Sequence, residues 1–200
     1  SLDLRDYQRD IVKVCLRMGR GVVVLATAGG KTLTIASLIE SIYNRDKKLK
    51  CLVVVPDLML VNQTTSDFNE YNVSFRHSKW TGSHNVNLDS NVIVANAGIL
   101  QSDKSDLSWL RDIDLLIVDE VHKLRKNNKI NKILKNIPTP NRFGFTGTLP
   151  EEQIDQWNIV GKIGPILFEK NSFQLRQEKH IANVKVQLLK IDYGEEKPPV

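Results

Sequence analysis

Two short segments carry the side chains best suited to chemistry. LATAGGKT (25–32) places Lys31 and Thr32 directly after a run of small residues. DLLIVDEVH (114–122) ends an apolar run in two carboxylates and an imidazole: Asp119, Glu120 and His122. Small residues such as Thr27, Ala28, Gly29 and Gly30 let backbone N–H groups turn inward around a phosphate, and a following helix N-terminus adds a favourable dipole. Lys31 then supplies a point charge for the β/γ-phosphates, and the Thr32 hydroxyl an oxygen for Mg2+. Asp119 suits the same Mg2+, directly or through water, and Glu120 suits polarisation of an attacking water. The implied chemistry is hydrolysis of ATP. The loop departs from the GxxxxGK spacing, because Leu25 stands where the first glycine belongs.

Those segments need a scaffold that brings them together. VVVLA (22–26) is a continuous β-branched run, as expected of a strand buried on both faces, and residues 32–43 read as the helix that follows the loop. CLVVV (51–55), VIVA (92–95), LLIV (115–118) and RFGFT (142–146) read as further buried strands. Helices are expected over 5–19, where Ile11, Val12, Cys15 and Leu16 share a face, and over 58–71 and 128–136. Strands alternating with helices imply an α/β domain with a mostly parallel sheet and helices on both faces. Such sheets bind ligands beyond the carboxyl ends of their strands, where both chemical segments fall.

The pattern weakens after Pro150. A short helix is expected near 151–158, and IANVKVQLLKIDY (181–193) reads as an edge strand or linker. The expected organisation is one domain over 1–180 and a linker over 181–200. No apolar run approaches the ~20 residues of a membrane span, no signal-peptide core is evident at the start, and a cytoplasmic setting is the expectation. Cys15 and Cys51 form neither a disulfide framework nor a zinc motif. The net charge of +5 permits a polyanionic partner without demanding one.

With these motifs in hand, the chain resembles the DExH-type helicases of superfamily 2, in their N-terminal RecA-like P-loop domain. DEVH (119–122) is similar to the DExH box. LRDYQ (4–8) resembles the motif whose glutamine reads adenine, VVVPDLMLVNQ (53–63) the motif near the nucleic-acid backbone, and FTGT (145–148) the S/T-A-T coupling motif, with Gly147 in place of alanine. The combination looks nearest to phage recombination and branch-migration helicases.

The resemblance implies an ATP- and Mg2+-dependent motor acting on DNA, branched or single-stranded, with RNA as the alternative. It assigns adenine contacts to Gln8 and Arg5, and a link from the γ-phosphate through His122 to Thr146 and Thr148. It assigns nucleic-acid contacts to Pro56, Gln63, Gly82 and Asn96, although Asn96 and Ala97 stand where the family has threonine. It also implies a second RecA-like domain that closes on the nucleotide and supplies arginine fingers. A non-hydrolysing nucleic-acid-binding module of the same fold is the competing reading; the intact Lys31, Thr32, Asp119 and Glu120 argue against it.

Other residues stay open. The basic run 122–136, with Lys123, Arg125, Lys126, Lys129, Lys132 and Lys135, is either a phosphate-facing stripe or a solvated helix face. Trp80 is either a base-stacking side chain or part of the core. Trp109 and Trp157 read as core or interface anchors. His77 and His84 lack a third partner for a metal.

Overall fold

The computed structural model describes residues 2–26, 29–120, 128–147, 163–170, 174–175 and 177. Five α-helices and seven strands are assigned among them: α1 (Asp6–Met18), β1 (Arg20–Leu25), α2 (Lys31–Arg45), β2 (Cys51–Val55), α3 (Leu58–Glu70), β3 (His77–Trp80), β4 (Val92–Asn96), α4 (Ala97–Gln101), β5 (Leu115–Asp119), α5 (Asn128–Asn136), β6 (Arg142–Thr146) and β7 (Ile166–Lys170). A 3-10 turn at Ser108–Asp112 leads into β5.

The strands form one sheet in the order β3-β4-β2-β5-β6-β1-β7, and each neighbouring pair is parallel. The middle of each central strand is apolar because both of its faces are covered. On one face, Val23, Leu25, Cys51, Val53, Leu115, Ile117 and Phe143 meet Ile11 and Cys15 of α1, Ile35, Leu38 and Ile39 of α2, and Val61 and Phe68 of α3. On the other, Val22, Val24, Leu52, Val54, Leu116 and Val118 meet Leu100 of α4, Trp109 and Leu110 of the 3-10 turn, and Ile130 and Leu134 of α5. Each fully buried Val, Leu or Ile contributes about 1.5–3 kcal/mol from surface removed from water.

The expected sheet is present, with the strands and helices expected up to residue 146, and α2 begins one residue earlier than expected, at Lys31 itself. Four elements were not anticipated: β3, β7, α4 and the 3-10 turn. The two strands are the edges of the sheet. HSKW and ILFEK mix polar and apolar residues because each is paired on one side only, so neither shows the continuous apolar run.

Trp80 is resolved in favour of the core. It is 5% exposed and packs edge-to-face on Trp109, with ring centroids 5.3 Å apart, so no base can reach its face. On α5, Ile130 and Leu134 are buried while Lys132 and Lys135 face solvent. Lys129 pairs with Asp103 at 2.7 Å. The expected helix near 151–158, the strand 181–193, Trp157 and the boundary between 1–180 and 181–200 lie outside the described residues. Among the described residues no helix is long and apolar enough to cross a membrane, and no group of three ligating side chains could hold a metal ion. His84 Nδ1 instead lies 3.0 Å from the Thr81 hydroxyl.

Candidate active site

An all-parallel sheet sends every strand end of one kind to one edge, and strand order decides what meets there. β1 runs into the phosphate loop and α2, and β5 ends at Asp119. β6 lies between them, aligning Thr146 with Val24 of β1 and Phe145 with Asp119 of β5. Segments some 90 residues apart in sequence thus become neighbours, as the spacing argument required.

The convergence is direct. Lys31 Nζ lies 3.0 Å from Asp119 Oδ1 and also pairs with Glu120 Oε1. Lys31 is 8% and Asp119 4% exposed, so this is a buried ion triad with weak solvent screening. Glu120 adopts a left-handed backbone, φ +51°, a conformation that costs a non-glycine residue about 1–3 kcal/mol. The Asp119 carboxylate accepts the Glu120 N–H at 2.9 Å and so helps hold that turn. The Lys31 ammonium is thus neutralised by the two carboxylates at the end of β5.

The loop has matching local structure. Gly30, the N-cap of α2, is left-handed with φ +72°, and a Cβ there would run into Gln8 Nε2. A Cβ on Gly29 would collide with the Leu25 side chain. The left-handed backbone favours glycine at 30, and at 29 any side chain would have to displace Leu25, which packs against that residue. The first-turn N–H groups of α2, at Lys31, Thr32 and Leu33, have no intrahelical acceptor and form a ready anion site.

Gln8 is 3% exposed with its amide fully engaged. Its Oε1 accepts the Arg5 N–H at 2.8 Å, and its Nε2 donates to the Gly29 and Gly30 carbonyls at 3.0 and 3.2 Å. Reading adenine would require it to exchange some of these bonds. A groove of about 280 Å³, lined by Leu4, Arg5, Gln8, Gly29, Gly30 and Leu33, opens beside the loop. A larger groove of about 590 Å³ runs past Leu2, Glu40, Asn44 and Tyr71. Each groove is lined by one acid, Asp3 in the smaller and Glu40 in the larger, but only the smaller also carries a cation, Arg5, and touches Gly29 and Gly30, so it is the better match to a nucleotide base.

The remaining candidates sort along the same edge. Thr146 closes β6 and is fully buried. Pro56 follows β2, Asn96 ends β4, and Gly82 sits in the exposed turn after β3. All three lie on the β3-β4-β2 half of the edge, away from Lys31. Asn96 caps α4 through its side-chain oxygen to Ile99 N–H, and Gln63 on α3 donates to Asp67 at 2.8 Å. Thr27, Ala28, His122, Thr148, Lys123, Arg125 and Lys126 lie outside the described residues. Sequence reasoning missed Tyr7, whose hydroxyl donates to the Gly29 carbonyl at 2.8 Å. Its only signal was adjacency to Gln8.

Comparison with known proteins agrees with this geometry. The family described as type III restriction enzyme, res subunit, matches residues 1–151. The DNA 3'-5' translocase XPB2 of Sulfurisphaera tokodaii is 30% identical over 98% of this chain and 42% of its own length. The ATP-dependent DNA helicase uvsW of Enterobacteria phage T4 is 25% identical over 95% of this chain and 38% of its own. The chain thus spans less than half the length of these relatives. The crystal structure of the phage T4 UvsW helicase superposes with a TM-score of 0.72 at 25% identity, covering 84% of this chain and 61% of that one. A Sulfolobus solfataricus SWI2/SNF2 ATPase core solved with double-stranded DNA, 20% identical, shares the fold with a TM-score of 0.70 over 88% of this chain. The motifs, the parallel sheet and the matched span agree: the chain belongs to the type III restriction enzyme res-subunit family and has the N-terminal RecA-like fold of superfamily 2 helicases.

Proposed function

We propose that this chain is the first motor domain of an ATP-dependent DNA helicase or translocase that unwinds or remodels branched DNA. The observation that carries the reading is the meeting of Lys31, Asp119 and Glu120 at the carboxyl edge of the sheet. A domain that only bound nucleic acid would have no use for a buried lysine facing two acids beside a glycine-shaped anion pocket. The similarity to a DNA translocase and a DNA helicase supports DNA as the track. A cytoplasmic location accompanies this reading.

The residues present fit Mg-ATP. Thr32 and Asp119 offer the hard oxygen donors that Mg2+ prefers. The glycines at 29 and 30 keep the turn close to its neighbours, since a Cβ on either would strike the Leu25 or Gln8 side chain packed against it. When bound, the nucleotide supplies the phosphoanhydride bond whose hydrolysis drives movement. Lys31 leaves its two acids and holds the β/γ-phosphates, and the loop and first-turn N–H groups orient them. Asp119 and Thr32 would hold the metal. Glu120, released from Lys31, takes a proton from the attacking water. Arg5 and Gln8 bind the adenine edge, with Thr27 and Ala28 completing the loop. His122, Thr146 and Thr148 relay the state of the phosphates toward Pro56, Gln63, Gly82 and Asn96 on the DNA side. The strand order supports that relay, because β6 lies beside both β1 and β5.

A second RecA-like domain of the same protein completes the site. An absent arginine finger costs ~10³–10⁵ in rate, so the 200-residue chain alone should bind Mg-ATP and turn it over very slowly. The test is ATPase activity of the full-length protein with single-stranded, duplex and branched DNA and with RNA, side by side. DNA-stimulated turnover is expected, greatest with branched DNA. Stimulation by RNA alone, or none by any nucleic acid, would overturn the reading.

A further inference from the structure

We propose that Tyr7 and Lys170 are positioning residues that preset the phosphate loop from its outer side. The inference rests on the nucleotide-binding reading above and assigns work to Tyr7, which lies within LRDYQ but was given no role there, and to Lys170, which lies outside the motifs.

Lys170 is the last residue of β7 and pairs with Leu25, where β1 becomes the loop. Its carbonyl accepts the Ala26 N–H at 3.1 Å, fixing the start of the loop. Its ammonium sits 4.0 Å from the centre of the Tyr7 ring, and the residue is 1% exposed. Tyr7, 3% exposed, carries the contact onward through its hydroxyl to the Gly29 carbonyl. The loop is thus clamped on both sides of residues 27–28, at Ala26 by backbone and at Gly29 by the phenol.

The consequence for the ligand follows from peptide geometry. A trans peptide is planar, with C=O and N–H pointing in opposite directions. Holding the Gly29 carbonyl toward α1 therefore turns the Gly30 N–H away from α1. The Gly30 carbonyl, which accepts from the Thr34 N–H and hydroxyl as well as from Gln8, fixes the Lys31 N–H in the same way. A cation over the ring withdraws electron density from the phenol and strengthens its O–H as a donor.

The prediction is phosphate-selective. In the full-length protein, Tyr7→Phe removes only the hydroxyl, and Lys170→Met removes the charge at similar length. Lys170→Arg keeps the cation over the ring. Affinities for ADP and ATP are measured by titration with a fluorescent ADP analogue in the presence of Mg2+, and for adenosine by competition. Tyr7→Phe is expected to weaken ADP and ATP about five-fold, the size of one net hydrogen bond, and to leave adenosine unchanged. Lys170→Met should do the same, and Lys170→Arg should restore most of the affinity. An equal loss for adenosine would mean general unfolding of the groove and would overturn the inference. So would unchanged ADP and ATP affinity in Tyr7→Phe. If the wild-type protein binds none of the three ligands, the parent reading fails as well, a result distinct from either. Should Lys170→Met fail to fold, Tyr7→Phe decides alone.

Discussion

Replacing Lys31 by methionine in ligand-free protein should destabilise the domain through charge. The ammonium lies 3.0 Å from Asp119 and pairs with Glu120, and all three side chains are at most 15% exposed. Removing it takes away the ammonium that the two adjacent carboxylates share. Breaking a buried ion pair from one side costs about 3–5 kcal/mol. As an independent check, two like charges ~4 Å apart repel by about 4 kcal/mol at an effective dielectric constant of 20. Water reaching Glu120 relieves part of this, so a loss of about 3 kcal/mol is expected. Adding Glu120→Gln removes one of the two charges and should return about half of it. The assay is urea unfolding followed by tryptophan fluorescence, in buffer free of nucleotide and magnesium. Adding Mg2+ should restabilise Lys31→Met more than wild type, because the freed acids then have a cation to hold. A loss below ~1 kcal/mol with an unchanged denaturant slope would refute the buried triad.

Three further outcomes follow from other parts of the molecule. Trp80→Ala should cost about 3–5 kcal/mol as a large core truncation, and in wild type DNA should not quench the Trp80 emission, since the ring is packed on Trp109. Burial among Phe68 and Phe75 lowers the pKa of His77. The unfolded chain then takes up the proton first, so stability is full above about pH 6.5 and declines as pH falls through the lowered folded value. His77→Gln should flatten that part of the stability–pH profile, and an unchanged slope would count against the assignment. Burial pushes the Cys15 thiol up to about 12, and burial with the nearby Asp114 charge raises Cys51. Native protein at pH 8 should therefore resist thiol-directed alkylation over hours, while urea-unfolded protein labels at both cysteines.

What the sequence disclosed depended on how each residue reports its surroundings. β1, β2 and β5 were legible because burial on both faces leaves a continuous apolar run. Lys31, Asp119 and Glu120 were legible because each follows such a run at the edge where parallel sheets bind ligands. β3 and β7 were hidden, since an edge strand with one partner need not be apolar. Lys170, in the run ILFEK, reads as a solvent-facing charge until β7 is paired with β1 and Tyr7 is brought beneath it. Trp80 stayed ambiguous for a related reason: Trp109, which covers it, is almost 30 residues further along. The hydrogen bonds of Gln8 to the loop carbonyls depend on the angle between α1 and α2, which side-chain spacing along either helix does not encode.

The position of β1 between β6 and β7 has a consequence for synthesis on the ribosome. Its first partner lies roughly 120 residues downstream and its second further still. At about 5–20 residues per second, RGVVVL waits on the order of ten seconds with both hydrogen-bonding edges unfilled. During that time the nascent chain displays a bare β-branched ribbon that any other strand could template. The element that carries the phosphate loop is therefore also the one most exposed to mispairing before the sheet closes, and a holdase that masks it until β6 emerges should raise the yield of folded protein.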